Sequence, residues 1–171
     1  MKDIFLIYNQ SCFYEIVILN YFMRFSHCDM VFCSLDGKPV RAMEGFTVQA
    51  DMALADLDKE QIRSFILPGG SISEIDTAEV IAYLQNLQKK DVLLAAICAG
   101  VDVLDQAGVL RGVQSTHSID ADWVNDKNVI TARANAYVDF AIAVAKKLNL
   151  FAGEDDLQET IRFWKYYNRV Q

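Results

Sequence analysis

Apolar residues run along this chain in two rhythms. Ile4 to Tyr8, Met30 to Leu35, Ser64 to Pro68 and Val92 to Ile97 are short, nearly unbroken apolar stretches, which predict strands buried on both faces. Between and after them lie longer stretches. Phe13 to Arg24 is helix-length and apolar almost all round, and Ala78 to Lys90 carries Val80, Ile81, Leu84 and Leu87 at helical spacing. Val101 to Ala107, closed by Gly108, predicts a short helix; Val138 to Leu148 and Leu157 to Tyr167 predict two more. Asp36-Gly37 is a turn signal, and Val40 to Ala53 reads as one or two short strands. Val113 to Thr116 reads as a further strand, and Asn125 to Asn128 as a turn between apolar flanks. Gly153 to Asp156 is a linker, or Asp155 or Asp156 caps the last helix.

Strands that are apolar throughout and alternate with helices predict an α/β fold, with a mostly parallel sheet covered on both faces. Such sheets place their sites at the carboxyl ends of the strands. Four polar or reactive features follow predicted strands: Asn9 to Glu15, Gly69-Gly70, Cys98-Ala99-Gly100 and His117.

Size and charge narrow the picture. A chain of 171 residues with 53% hydrophobic residues fits one domain, 1–171, with a helical extension over 151–171. A net charge of −7 argues against nucleic-acid partners. The N-terminus turns polar too soon for a signal peptide, and no apolar run approaches a membrane span. A cytoplasmic location follows as the expectation, with Cys12, Cys28, Cys33 and Cys98 as thiols. With no CxxC pair and only His27 and His117, no metal site is expected.

Cys98 ends an apolar strand and precedes Ala99-Gly100. It is either a small core filler or a nucleophile lifted by a sharp strand-to-helix turn, whose amides would favour a thiolate. Glu15 stands among Phe13, Tyr14, Ile16 and Val17. It is either a first-turn glutamate favoured by the helix dipole, with Ser11 as cap, or a buried carboxyl kept protonated. Two anions about 4 Å apart cost on the order of 4 kcal/mol at a dielectric of 20, so Glu15 and Cys98, if paired, would ionise as a coupled unit. Pro68-Gly69-Gly70 is an ordinary turn or a source of unobstructed amides for an oxyanion. His117 is structural or a proton carrier. Cys12 is a structural thiol or a resolving partner for Cys98.

Taken in order, "YEIVIL", "FILPGG", "LLAAICAGVDVLDQAGVLRG", "STH" and "VITARANAYVDFAIAVAKKL" resemble the ThiJ/PfpI superfamily, in the branch of the Parkinson-disease-associated protein deglycase. The resemblance runs from about residue 3 to 148. It implies a flavodoxin-like three-layer sandwich, a homodimer, no cofactor, and a reactive cysteine at a nucleophile elbow. By matching position Cys98 would be that cysteine and Glu15 its protonated partner, with Gly69, Gly70 and Ala99 around the oxyanion position and His117 near the site. Ala99 stands where the protease-like branch has histidine, which argues against a peptidase. His117-Ser118-Ile119 lacks the His-x-Glu pair of glutamine amidotransferases. Thr131 to Ala136 lacks a glycine expected after Arg133.

The expected function is a cofactor-independent, cysteine-dependent enzyme acting on small reactive carbonyls, of glyoxalase or deglycase type. The alternatives are a redox sensor or chaperone in which an oxidant converts Cys98 to the sulfinate, and an isonitrile hydratase-like activity. The aromatics Phe163, Trp164, Tyr166 and Tyr167 near the C-terminus either close the core or form a dimer face.

Overall fold

A computed structural model describes residues 1–168; the last three positions of the expected helical extension, 169–171, lie outside the described residues. Seven strands make the central sheet. In chain order they are β1 (Lys2–Leu6), β2 (Met30–Ser34), β5 (Met52–Ala53), β6 (Ile62–Leu67), β7 (Leu93–Ile97), β8 (Trp123–Asp126) and β9 (Val129–Ala132). Spatially the order is β5-β2-β1-β6-β7-β9-β8, parallel throughout except for β8, which pairs antiparallel with β9. A separate hairpin, β3 (Val40–Arg41) with β4 (Thr47–Val48), stands beside the sheet.

Alternation along the strands divides the core in two. Ile4, Leu6, Phe65, Leu67, Leu94 and Ala96 face one side, where α2 (Ala78–Lys89) and α3 (Gly100–Gln106) bring Leu84, Leu87, Val103 and Leu104. Phe5, Ile7, Ile66, Ala95, Ile97 and Ile130 face the other, under α1 (Val17–Phe25) and α4 (Tyr137–Lys147). Helices on both faces of a mostly parallel sheet make the expected flavodoxin-like sandwich. The last helix, α5 (Glu154–Tyr166), is joined to α4 by Lys165 Nζ and Asp139 Oδ1 at 2.5 Å. Trp164 packs edge-on against Tyr21 and Phe22 of α1, so this aromatic segment closes the second core while Phe163 and Tyr166 stay exposed.

Several local expectations change. Val113 to Thr116 is a succession of turns, not a strand. There the amide of Gln114 donates to Asp126 Oδ2 and that of Thr116 to Thr131 Oγ1, so side chains take the bonds that a ladder would have used. The first helix starts at Val17: Phe13 to Ile16 is a turn closed by the Ile16 and Val17 amides on the Phe13 carbonyl. Ser11 therefore caps nothing, and Glu15 sits ahead of the helix. Asp156 reaches back to the Ala152 amide at 2.9 Å, while Gly153 occupies the cap position. No helix among the described residues is long and apolar enough to cross a membrane.

The sheet reverses direction between β1 and β6. From β1 the chain builds outward through β2 to β5, then returns to the far side of β1 and continues through β6 and β7. A crevice at the carboxyl ends of the strands opens at such a reversal.

Phe140 is 0% exposed in the second core, whereas Phe163 is 47% exposed. Phe140→Ala is expected to lower unfolding free energy by about 3–5 kcal/mol, and Phe163→Ala by less than about 1 kcal/mol. Urea denaturation checks this; equal losses in both would contradict the assignment of the core.

Candidate active site

Three loops meet at the reversal. The segment after β1 brings Glu15, the one after β6 brings Gly69 and Gly70, and the one after β7 brings Cys98 and Ala99. They are tied by backbone: the Cys12 amide donates to the Gly69 carbonyl at 2.9 Å, the Ser71 amide to the Gln10 carbonyl at 3.0 Å, and Ser11 bridges Gly70.

Cys98 sits at φ +56°, a left-handed conformation that costs a residue with a side chain roughly 1–3 kcal/mol. It is over-determined there. Its amide donates to the Ala132 carbonyl of β9 at 2.9 Å, and its carbonyl accepts from the Val101 amide at 3.1 Å as α3 begins. The elbow leaves the thiol half-buried, in contact with the loop after β6. A Cβ on Gly69 would lie 2.6 Å from the Cys98 Cβ and 2.9 Å from its sulfur, so only glycine admits that approach. Gly70 has φ +118°, and a Cβ there would overlap the Gln10 carbonyl.

Glu15 is 1% exposed. Its Oε2 accepts the Gly69 amide at 2.6 Å, and its Oε1 has no hydrogen-bond partner among the described residues. Burial pushes this carboxyl up; the Gly69 amide, the Cys98 thiol and the Tyr14 phenol draw it partly back. Thiol and phenol both approach the carboxyl, yet neither is aligned on Oε1 in this arrangement. Burial also pushes the Cys98 thiol up, and a charged Glu15 would push it further, while the amides of Ala99 and Gly70 pull it down.

One proton therefore decides the site's charge. A buried carboxylate with an orphan oxygen is a poor place for an anion. The sulfur is half-buried and faces two amides, which pull against the upward push of burial. With the proton on Oε1, the carboxyl is neutral and no longer opposes a charge on the sulfur. The amides are also divided: Gly69 serves the carboxyl, leaving those of Gly70 and Ala99 to face the sulfur.

His117 makes its ring contacts on α3. Its ring lies between two carboxylates of α3, with Nε2 3.2 Å from Asp102 Oδ1 and Nδ1 3.3 Å from Asp105 Oδ2. The turns that replace the expected strand before it carry the ring there. Cys12 is buried, donates to Met43 Sδ at 3.5 Å and is pushed up to about 11 by burial. Arg133 pairs with Asp120 and Asp122, and the segment after it forms a tight turn, Ala134–Ala136, into α4.

Two residues escaped sequence reasoning. Tyr8, 1% exposed, donates its hydroxyl to the carbonyls of Pro68 at 2.9 Å and Gly69 at 2.8 Å, so it fixes the glycine turn from below. Its place at the end of an apolar strand made it look like core. Tyr14 flanks the carboxyl; no spacing in the sequence separates it from its apolar neighbours.

Comparison with known proteins agrees with the fold. Deglycase TK1284 of Thermococcus kodakarensis is 26% identical over 102 residues, covering 53% of this chain and 61% of that protein. Deglycase PH1704 of Pyrococcus horikoshii is 23% identical over 152 residues, covering 80% and 92%. The crystal structure of DJ-1 superfamily protein Atu0886 from Agrobacterium tumefaciens superposes with a TM-score of 0.87 at 25% identity, covering 98% of this chain and 100% of that one. A profile described as the DJ-1/PfpI family matches residues 1–147, and the chain belongs to that family.

Proposed function

We propose that this chain is a cofactor-independent enzyme that uses Cys98 to act on small reactive carbonyl compounds, as a glyoxalase or deglycase. One observation carries the reading: a strained, half-exposed thiol faces a buried carboxyl whose one free oxygen needs a proton to be satisfied. Two relatives named deglycases support the class of reaction.

The chemistry follows from the pair. The Cys98 thiolate adds to an aldehyde carbon, the carbonyl π pair moves to oxygen, and the alkoxide takes the proton of Glu15 Oε1. The amides of Gly70 and Ala99 are the donors near that oxygen. With an α-oxoaldehyde, the resulting hemithioacetal carries a C–H beside a ketone. The Glu15 carboxylate removes that proton and returns one to the neighbouring carbon through an enediol, which leaves a thioester on Cys98. Water hydrolyses the thioester to a 2-hydroxy acid and frees the thiol. No electrons enter or leave, so no redox cofactor is needed.

A second reading concerns peroxide. Burial pushes the Cys12 and Cys33 thiols up to about 11 and about 12; it pushes Cys98 up as well, but there the Ala99 and Gly70 amides pull back, which favours Cys98 for oxidation over them. Two equivalents of peroxide would convert its thiolate to the sulfinate with release of two waters, the product held by the Glu15 proton.

Methylglyoxal consumption tests the first reading. Wild type is expected to turn over, Cys98→Ser to fall to background, and Glu15→Gln to lose on the order of 10²-fold. Equal rates in all three would sink it. Intact mass and peptide mapping after mild peroxide test the second, which expects two oxygens on Cys98 ahead of the other thiols; oxidation scattered over Cys12, Cys28 and Cys33 would contradict it.

A further inference from the structure

The carboxyl of Glu15 is held by a backbone amide: Gly69 N–H donates to Oε2 at 2.6 Å. An amide has no rotamer of its own, so its direction is set by the peptide unit it belongs to. That unit is planar and trans, with the Pro68 carbonyl pointing opposite to the Gly69 N–H. The Pro68 oxygen accepts the Tyr8 hydroxyl at 2.9 Å. The same hydroxyl lies 2.8 Å from the oxygen of the next unit, that of Gly69, which also accepts the Cys12 amide at 2.9 Å. Two consecutive carbonyls therefore converge on one phenol. The amides of the same two units, Gly69 and Gly70, are turned away from it, and that of Gly69 meets Glu15.

We propose that Tyr8 is a positioning residue of the site that acts on Glu15 through the Pro68–Gly69 peptide: its hydroxyl holds the carbonyl on one side so that the amide on the other meets Oε2. The inference rests on the carbonyl reading for the role of Glu15 as proton carrier, and deepens it by naming what aims the one amide on that carboxyl.

The surroundings fit a support of this kind. Tyr8 is 1% exposed, and its backbone is pinned by Ser11, whose Oγ accepts the Tyr8 amide at 3.4 Å and whose amide donates to the Tyr8 carbonyl at 3.0 Å. The glycine turn is crowded from two other sides. A Cβ on Gly100 would come within 2.8 Å of the Pro68 oxygen, and one on Gly69 within 2.9 Å of the Cys98 sulfur. Pro68 is buried, so losing the hydroxyl would leave its oxygen without the donor it has. The turn, free to rotate at glycine, would then carry the Gly69 N–H off Oε2. A hydrogen bond to a carbonyl also polarises the N–H of the same unit, so the phenol strengthens the amide it aims. Burial first, then the charges of Glu15, Cys12, Cys98 and Glu74, raise the phenol well above its ordinary range, so it stays a donor. Burial raises the Glu15 carboxyl as well, with a lesser push from Glu44; the Gly69 amide is foremost among the groups that draw it down, ahead of Cys98 and Tyr14.

Tyr8→Phe removes the hydroxyl and keeps the buried ring. Infrared titration follows the protonated-carboxyl band of Glu15, identified by its loss in Glu15→Gln and read in a Cys98→Ser background, where the carboxyl titrates without the thiol. Its midpoint is expected to rise by about one pH unit with Tyr8→Phe, because the amide that favours the carboxylate is no longer held on it. A role in folding alone would lower the urea midpoint and leave the titration where it was, and that outcome overturns the inference. Tyr8→3-fluorotyrosine is the second arm, since a more acidic phenol is a stronger donor and keeps the turn in place. It is expected to move the carboxyl midpoint down, and it decides the question if Tyr8→Phe does not fold; an unmoved or raised midpoint overturns the inference. With Cys98 present, methylglyoxal turnover is expected to fall about tenfold in Tyr8→Phe with KM unchanged. A moved midpoint with wild-type turnover overturns the role in the reaction. If wild type consumes no α-oxoaldehyde, the carbonyl reading falls, while a moved midpoint still shows that Tyr8 aims the amide on Glu15.

Discussion

The site depends on a single buried carboxyl that cannot hold a charge comfortably. Glu15 has one amide on Oε2 and, among the described residues, no donor on Oε1, and it is all but closed to solvent. A carboxylate there would carry an unmet acceptor in a low-dielectric pocket and stand against any charge on Cys98. Placing the proton on Oε1 removes the buried charge and its repulsion of the sulfur. In the proposed mechanism any negative charge of the pair then falls on sulfur, where the Ala99 and Gly70 amides offset part of the penalty of burial. The proposed reactivity of the thiol thus turns on where the proton sits.

The fold supplies this arrangement at modest cost. Reversal of the sheet between β1 and β6 opens a crevice, and loops from β1, β6 and β7 converge in it. Convergence demands close backbone approach, which explains Gly69 against the Cys98 sulfur and Gly70 against the Gln10 carbonyl. It also demands one strained residue, Cys98, held by hydrogen bonds to β9 and into α3. Tyr8 secures the glycine turn from the core side through the carbonyls of Pro68 and Gly69.

Much of this was legible along the chain. Apolar runs such as Leu93 to Ile97 have no polar face, so a doubly covered parallel sheet was the natural reading, and the ordered motifs placed Cys98, Glu15 and Gly69-Gly70 together. What the sequence hid was orientation. The run Val113 to Thr116 has strand composition, yet Asp126 and Thr131 side chains capture its amides and carry His117 to α3. Phe13 to Ile16 looked helical because it is apolar, although its residues form the turn that aims Glu15 inward. Tyr14 was invisible for the same reason: a tyrosine in an apolar stretch gives no sign of which way its hydroxyl points.

The most direct test is the pH dependence of Cys98 alkylation in wild type and in Glu15→Gln. The carboxamide introduced by that substitution is neutral and close in shape to a protonated Glu15. If the sulfur carries the charge and Glu15 keeps its proton, the two profiles should nearly coincide. If Glu15 is instead ionised opposite the thiol, removing that charge must move the profile to lower pH. Coincident profiles are the predicted result; a clear shift to lower pH in Glu15→Gln would contradict the account.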